Sequence, residues 1–99
     1  MLRVLHAMEE TVEAPLSRVK LAAVAELSVR HLERLFQKNL AAGMADIYQN
    51  IRLEHGVQLL RSTDFSITEV SLICGFRSTS HFSRVFKKKF GRPPSASRR

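Results

Sequence analysis

Arg34 and Arg84 stand 50 residues apart, each about two turns into a basic segment with helical spacing. Arginine's planar fork is shaped to donate two hydrogen bonds to the groove edge of guanine, so the matched pair points to nucleic acid as the ligand. Lys38, Lys87 and Lys88 come later in the same segments, where a cation meets phosphate more readily than a base. Other chemistries find little support. The four histidines, at residues 6, 31, 55 and 81, form no i, i+3 or i+4 pair and have no cysteine close by, so no metal site is expected. No glycine-rich phosphate loop, nucleophile motif or paired-carboxylate site is visible, which leaves no expected cofactor and no expected enzyme activity.

The arginines match because the chain repeats itself. Ser17 to Leu40 and Phe65 to Phe90 follow one pattern, a short helix, a tight turn and a longer basic helix. Before the turn the offset is 49, as between Ser17 and Ser66. After it the offset is 50: Ser28 with Ser78, His31 with His81, Phe36 with Phe86, Lys38 with Lys88. The second turn therefore carries one extra residue. In such a helix-turn-helix the first helix braces the second, which lies in the major groove and must be apolar on one face and rich in donors on the other. The predicted inner faces are Leu32, Leu35, Phe36 and Leu40, then Phe82, Val85, Phe86 and Phe90. Arg30, Glu33, Arg34, Gln37 and Lys38 fall outside in the first unit. Thr79, Ser80, Arg84, Lys87 and Lys88 do so in the second, with His81 and Ser83 near the boundary.

The elements that position these residues read as all-α. Ninety-nine residues make one domain, and 44% hydrophobic content is that of an ordinary globular protein. Sixteen Lys and Arg against nine Asp and Glu give a net charge of +7, which favours polyanions. One cysteine, Cys74, forms no intramolecular disulfide and fits a reducing cytoplasm; it aligns with Ala25, a place for a small buried side chain. No apolar run reaches membrane-spanning length, and the start lacks the core of a signal peptide, so a cytoplasmic protein is expected. Leu2, Leu5, Met8 and Val12 predict a first amphipathic helix over 2–12, broken at Glu13–Ala14–Pro15. Ser17 and Ser66 cap the helices that follow, with Leu16 and Phe65 expected against Leu21 and Val70; Ser66 and Glu69 complete a capping box that Lys20 denies the first unit. A long helix over 44–61 joins the units, a strut of about 27 Å. Gly56 in its interior reads as a liability of about 1 kcal/mol relative to alanine. Gly91, Pro93 and Pro94 end the last helix, and 95–99 reads as a short, frayed basic tail.

These residues resemble the DNA-binding domain of the AraC/XylS family of bacterial transcription regulators. FSITEVSLICGFRSTSHFSRVFKKKFGRPP, Phe65 to Pro94, resembles the family signature nearly throughout. LSVRHLERLFQKNL, Leu27 to Leu40, resembles its first recognition helix, and IRLEHGVQLLRSTD, Ile51 to Asp64, the end of its connecting helix. The likeness covers about residues 5–94. It implies a single domain over 1–99 with about seven helices: a first helix-turn-helix subdomain over 1–41, the linker helix over 44–61, a second subdomain over 65–94, and the tail. It also implies an activator that binds adjacent major grooves on one face of double-stranded DNA, with RNA polymerase as a further partner. By position, base contacts fall to Arg30, Glu33, Arg34, Thr79, Ser80 and Arg84. Phosphate contacts fall to Gln37, Lys38, Arg77, Ser83, Lys87 and Lys88. Independently, consecutive major grooves lie about 34 Å apart, a span the strut plus helix thickness can bridge.

Most family members carry a separate effector-binding or dimerisation domain, absent from this chain, and a few consist of this domain alone. HAMEETVEAPLS, His6 to Ser17, looks most like members with a glutamine-amidotransferase-like sensor domain. A truncated gene product and a true start at Met1 both fit. Three positions depart from the family pattern, Glu26 where glycine is usual, Met44 in place of proline and Ser97 in place of tyrosine, and with Lys20 and Gly56 they make five anomalies. Four of them precede residue 57, so the first unit and strut look less well specified than the second. The alternative reading is a remnant or protein-interaction module with only non-specific DNA binding.

Overall fold

The computed structural model describes residues 1–98. These form six α-helices and one 3-10 turn: α1 (Leu2–Glu10), α2 (Arg18–Ala25), α3 (Val29–Leu40), α4 (Met44–Ser62), α5 (Ile67–Ile73), α6 (Thr79–Phe90) and the turn Pro94–Ser97. The all-α expectation holds. The first helix stops two residues short of its predicted end, although Val12 beyond it is still buried. Two compact units divide within α4, at Met1–Ile51 and Arg52–Arg99. No helix of the described residues is long and apolar enough to cross a membrane.

In the first unit Val4 and Met8 of α1, Leu21 and Ala22 of α2, Leu32 and Phe36 of α3, and Met44 and Tyr48 of α4 form one buried cluster. Met44 therefore fills core where the family pattern has a helix-starting proline. The Tyr48 hydroxyl knots the α1–α2 connection: it accepts from Leu16 N–H at 2.9 Å, donates to the Thr11 carbonyl at 3.2 Å and bonds the Thr11 hydroxyl. Leu40, expected inside, is 37% exposed, because the chain turns left-handed at Ala41 immediately after it. In the second unit Leu53, Leu60, Val70, Cys74, Phe76, Phe82 and Phe86 are buried. Burial pushes the Cys74 thiol up to about 11, which leaves it a neutral packing group.

Both helix-turn-helix turns close by the same pair of backbone bonds. Leu27 N–H reaches Ala22 O and Glu26 N–H reaches Ala23 O; in the second unit Phe76 N–H reaches Ser71 O and Gly75 N–H reaches Leu72 O. This Schellman pattern needs a left-handed residue, and it falls on Glu26 (φ 56°) and Gly75 (φ 80°). The ends of the reading helices repeat the contrast, with Ala41 (φ 54°) after α3 and Gly91 (φ 82°) after α6. The extra residue of the second turn is Arg77, inserted between Phe76, which matches Leu27, and Ser78, which matches Ser28.

The capping box forms as expected: Ser66 Oγ accepts from Glu69 N–H and Glu69 accepts from Ser66 N–H, the bond that holds this carboxyl below its ordinary value. Ser17 accepts only from Lys20 N–H, at 3.2 Å. A further sequence expectation fails. Residues 95–98 are not frayed, since Pro94–Ser97 form a turn and Arg98 donates to the carbonyls of Thr63 (2.9 Å) and Phe65; Arg99, the end of the expected tail, lies outside the described residues. Gly56 meets a packing constraint that helix propensity ignores. A Cβ there would stand 3.2 Å from the fully buried Phe82 ring and 3.5 Å from Cys74 Sγ. The first unit has Ala7, Leu32 and Ala25 at the three corresponding places.

Two stability outcomes follow from these backbone and packing differences. Glu26→Gly should raise stability by about 1 kcal/mol, because left-handed strain of about 1–2 kcal/mol exceeds the worth of an exposed ion pair. The pair in question, Arg3–Glu26, spans 4.0 Å between side chains that are mostly solvent-exposed. Thermal melts read the difference, and an unchanged or lower midpoint refutes it. Gly56→Ala should cost about 1–3 kcal/mol by overpacking, against the gain of about 1 kcal/mol that helix propensity alone predicts. Denaturant melts give its sign.

Candidate nucleic-acid interface

The two reading helices begin alike. Ser28 accepts from His31 N–H at 3.0 Å and Ser78 from His81 N–H at 3.1 Å, so each first turn is held by a serine cap. Leu32 and Phe36 anchor α3, and Phe82 and Phe86 anchor α6; all four are fully buried. Turning these residues inward turns the opposite face outward at 3.6 residues per turn. On α3 this gathers Arg30, Glu33, Arg34, Gln37 and Lys38 around a single open depression. Glu33 is half-buried and the other four are exposed.

On α6, Ser80, Arg84, Lys87 and Lys88 are exposed, Ser83 is half-buried, and Arg77 projects from the turn before the helix. Thr79 differs from the rest of its set. It is half-buried, and its hydroxyl donates to Thr68 Oγ1 at 3.3 Å and lies 3.4 Å from Ser71 Oγ. Ser71 in turn donates to the Thr68 carbonyl at 2.9 Å. This hydroxyl cluster braces the start of α6 on α5, so the Thr79 side chain already has partners.

The three consecutive lysines of α6 are also unequal. Lys89 lies 3.8 Å from the Glu54 carboxylate and 5.4 Å from the centroid of the Phe90 ring. Neither Lys87 nor Lys88 enters a salt bridge with an acidic side chain among the described residues. The +7 chain thus sets unpaired cations on the outer face of α6.

Sequence reasoning missed Arg52. Its Nε donates to Cys74 O and its Nη2 to Gly75 O, both at 2.8 Å, and the guanidinium lies 4.2 Å from the Phe76 ring centroid. A signal for it exists in the residues that precede Ser17. At the same offset of 49, Arg3 matches Arg52, Val4 matches Leu53, His6 matches His55 and Ala7 matches Gly56. The repeat therefore begins at α1 and not at Ser17.

A family model described as a helix-turn-helix domain matches residues 21–99. The HTH-type transcriptional regulator GlxA of Rhizobium meliloti (strain 1021) is 42% identical over 99 residues, which cover 100% of this chain and 31% of that protein. CdhR of Pseudomonas aeruginosa, another HTH-type transcriptional regulator, is 41% identical over 98 residues, 99% of this chain and 29% of its own length. The chain thus spans about a third of the length of these relatives. Among solved structures, a transcriptional regulator from Chromobacterium violaceum, of the AraC-type DNA-binding domain-containing proteins, superposes with a TM-score of 0.96 at 36% identity, covering 98% of this chain and 87% of that one. The DNA-binding domain of AdpA in complex with a target DNA gives 0.89 at 27% identity, covering 96% and 86%.

The inequality of the lysines is open to measurement. Lys88→Ala should lower the slope of log affinity for duplex DNA against log salt by about 1, and Lys89→Ala should leave it unchanged. Equal slopes for the two variants contradict this division.

Proposed function

Because the chain belongs to the AraC-type helix-turn-helix DNA-binding domains, we propose that it binds double-stranded DNA sequence-specifically and regulates transcription, with α3 and α6 as its reading helices. The observation that carries this reading is the matched presentation of Arg34 and Arg84. Both are exposed, both lie six residues beyond a serine cap, and both stand opposite a buried Leu or Phe anchor. In this reading Arg30, Glu33, Arg34, Ser80 and Arg84 meet base edges, and Gln37, Lys38, Arg77, Ser83, Lys87 and Lys88 meet phosphates. Thr79 supports α6 more than it reads, since its hydroxyl is committed to α5.

The finer parts of the reading extend from relatives to this chain. The two helices take adjacent major grooves, the regulator activates, and RNA polymerase is its protein partner. It works in the cytoplasm at the nucleoid. Residues 1–99 act as one DNA-binding domain, with the helix-turn-helix subdomains 1–41 and 65–94 joined by the linker helix, and effector sensing or dimerisation belongs to a separate domain.

Selection from a randomised duplex library at physiological salt tests the proposal. Enrichment of a motif about two helical turns long is the expected result; salt-sensitive binding with no enrichment rejects it. A motif one turn long restricts reading to one unit. On the selected site, Arg84→Ala should cost about 1–3 kcal/mol and relax preference at one base pair. Equal weakening on every duplex would instead make Arg84 a phosphate contact.

A further inference from the structure

We propose that Arg52 of α4 is a positioning residue that sets the base preference of α6. This rests on the reading of α6 as a DNA-reading helix. α5 is only seven residues long, and the turn that follows it leaves the Cys74 and Gly75 carbonyls outside the helical ladder. Arg52 supplies the partners, with two donors of one rigid fork on the consecutive carbonyls of Cys74 and Gly75. The same guanidinium stacks on Phe76, whose ring is 3% exposed. Phe76 then meets two rings of α6 edge-on, His81 at 5.5 Å and Phe82 at 5.2 Å between centroids. Arg52 therefore reaches the first turn of α6 through one buried ring. Ser80 adjoins His81 in that turn, and Arg84 lies one turn further along.

Gly56, one turn after Arg52, acts on the same assembly through its close approach to Phe82 and Cys74. Two positions of one helix thus control the tilt of α6 from below. Hydrogen bonds to base edges tolerate errors of only about 0.5 Å or 10–20° in the groups that make them. A residue that never meets DNA can then decide which base is preferred. In the first unit the corresponding Arg3 ion-pairs with the exposed Glu26 side chain, at 4.0 Å.

Arg52→Lys keeps the charge and loses the fork. In the full chain it should reduce discrimination between the selected site and one altered at the base pair read by Arg84 by roughly tenfold. The slope of affinity against salt should stay unchanged, since no phosphate contact is lost. Arg52→Ala should lose more discrimination than Arg52→Lys. Amide resonances of residues 79–84 should shift in the free Arg52→Lys protein, and Gly56→Ala should shift the same residues by displacing Phe82. Unchanged discrimination, or affinity that falls equally on all duplexes in step with the unfolded fraction, overturns the proposal. A wild-type chain that selects no motif sinks the DNA reading instead. The amide shifts then decide by themselves whether Arg52 orients α6: shifts that stop at residues 74–76 overturn that role, and shifts that run on through 79–84 support it.

Discussion

Each helix-turn-helix depends on one residue with left-handed backbone. Only that conformation lets the chain leave the bracing helix, return two amide groups to its last turn, and start the next helix after three residues in the first unit and five in the second. The Glu26 and Gly75 turns meet this demand with the same bonds but different side chains. Glycine adopts the conformation without strain, whereas glutamate carries a Cβ that crowds the carbonyl that follows. Everything downstream inherits the result, since the serine caps, the buried anchors and the exposed arginines are all placed by where the turn delivers the chain. The second unit adds Arg52 over its glycine turn, with donors on the Cys74 and Gly75 carbonyls. At the first turn, the corresponding arginine meets a carboxylate in solvent, an interaction worth little.

The two units also solve the same packing problem with different partitions of volume. Ala7, Ala25 and Leu32 become Gly56, Cys74 and Phe82, so a larger ring is accommodated by removing one methyl from the helix beneath it. Interiors are packed too tightly for one of these exchanges to occur without the others. Such linked changes explain how a repeat can keep its architecture while each copy acquires a core of its own. The second core carries an aromatic run, Phe76, Phe82, Phe86 and Phe90 with centroids 4.6–5.5 Å apart, where the described residues of the first core hold Phe36 and Tyr48 among aliphatic side chains.

The helices, caps and outward faces were legible in the sequence because each is a local signal. Periodicity placed Leu32, Phe36, Phe82 and Phe86 inside, and the cap serines stood at matched places in both copies. What could not be read locally was whatever depends on a neighbour distant in sequence. Gly56 looks costly by helix propensity, which takes no account of the Phe82 ring 3.2 Å from where a Cβ would stand. The tail looks frayed by composition, yet Arg98 finds two carbonyls near residue 64. Leu40 follows the apolar period but lies at the end of its helix, where the left-handed turn at Ala41 opens it to solvent. Ala41 itself was visible in principle, since it matches Gly91 at the offset of 50. Thr79 satisfied every sequence criterion for an outward donor, and the hydroxyls that claim it come from α5.

The distribution of polar residues along α6 follows from the helix's own field as much as from any ligand. The N-terminal end carries partial positive charge and the C-terminal end partial negative charge. The first turn of α6 accordingly holds Thr79 and Ser80, without a cation, and Lys87, Lys88 and Lys89 crowd the last. Lys38 occupies the last turn of α3 in the same way. Under the proposed DNA-binding role, neutral donors at the start would meet base edges without attracting every phosphate nearby. Cations at the end steady the helix and, under the same role, would meet the phosphate backbone from one position. Placing the lysines early would set them against the helix field and would strengthen binding to any duplex at the expense of discrimination. The order along the helix, neutral polar groups, then arginine, then lysine, therefore satisfies folding and selective binding together.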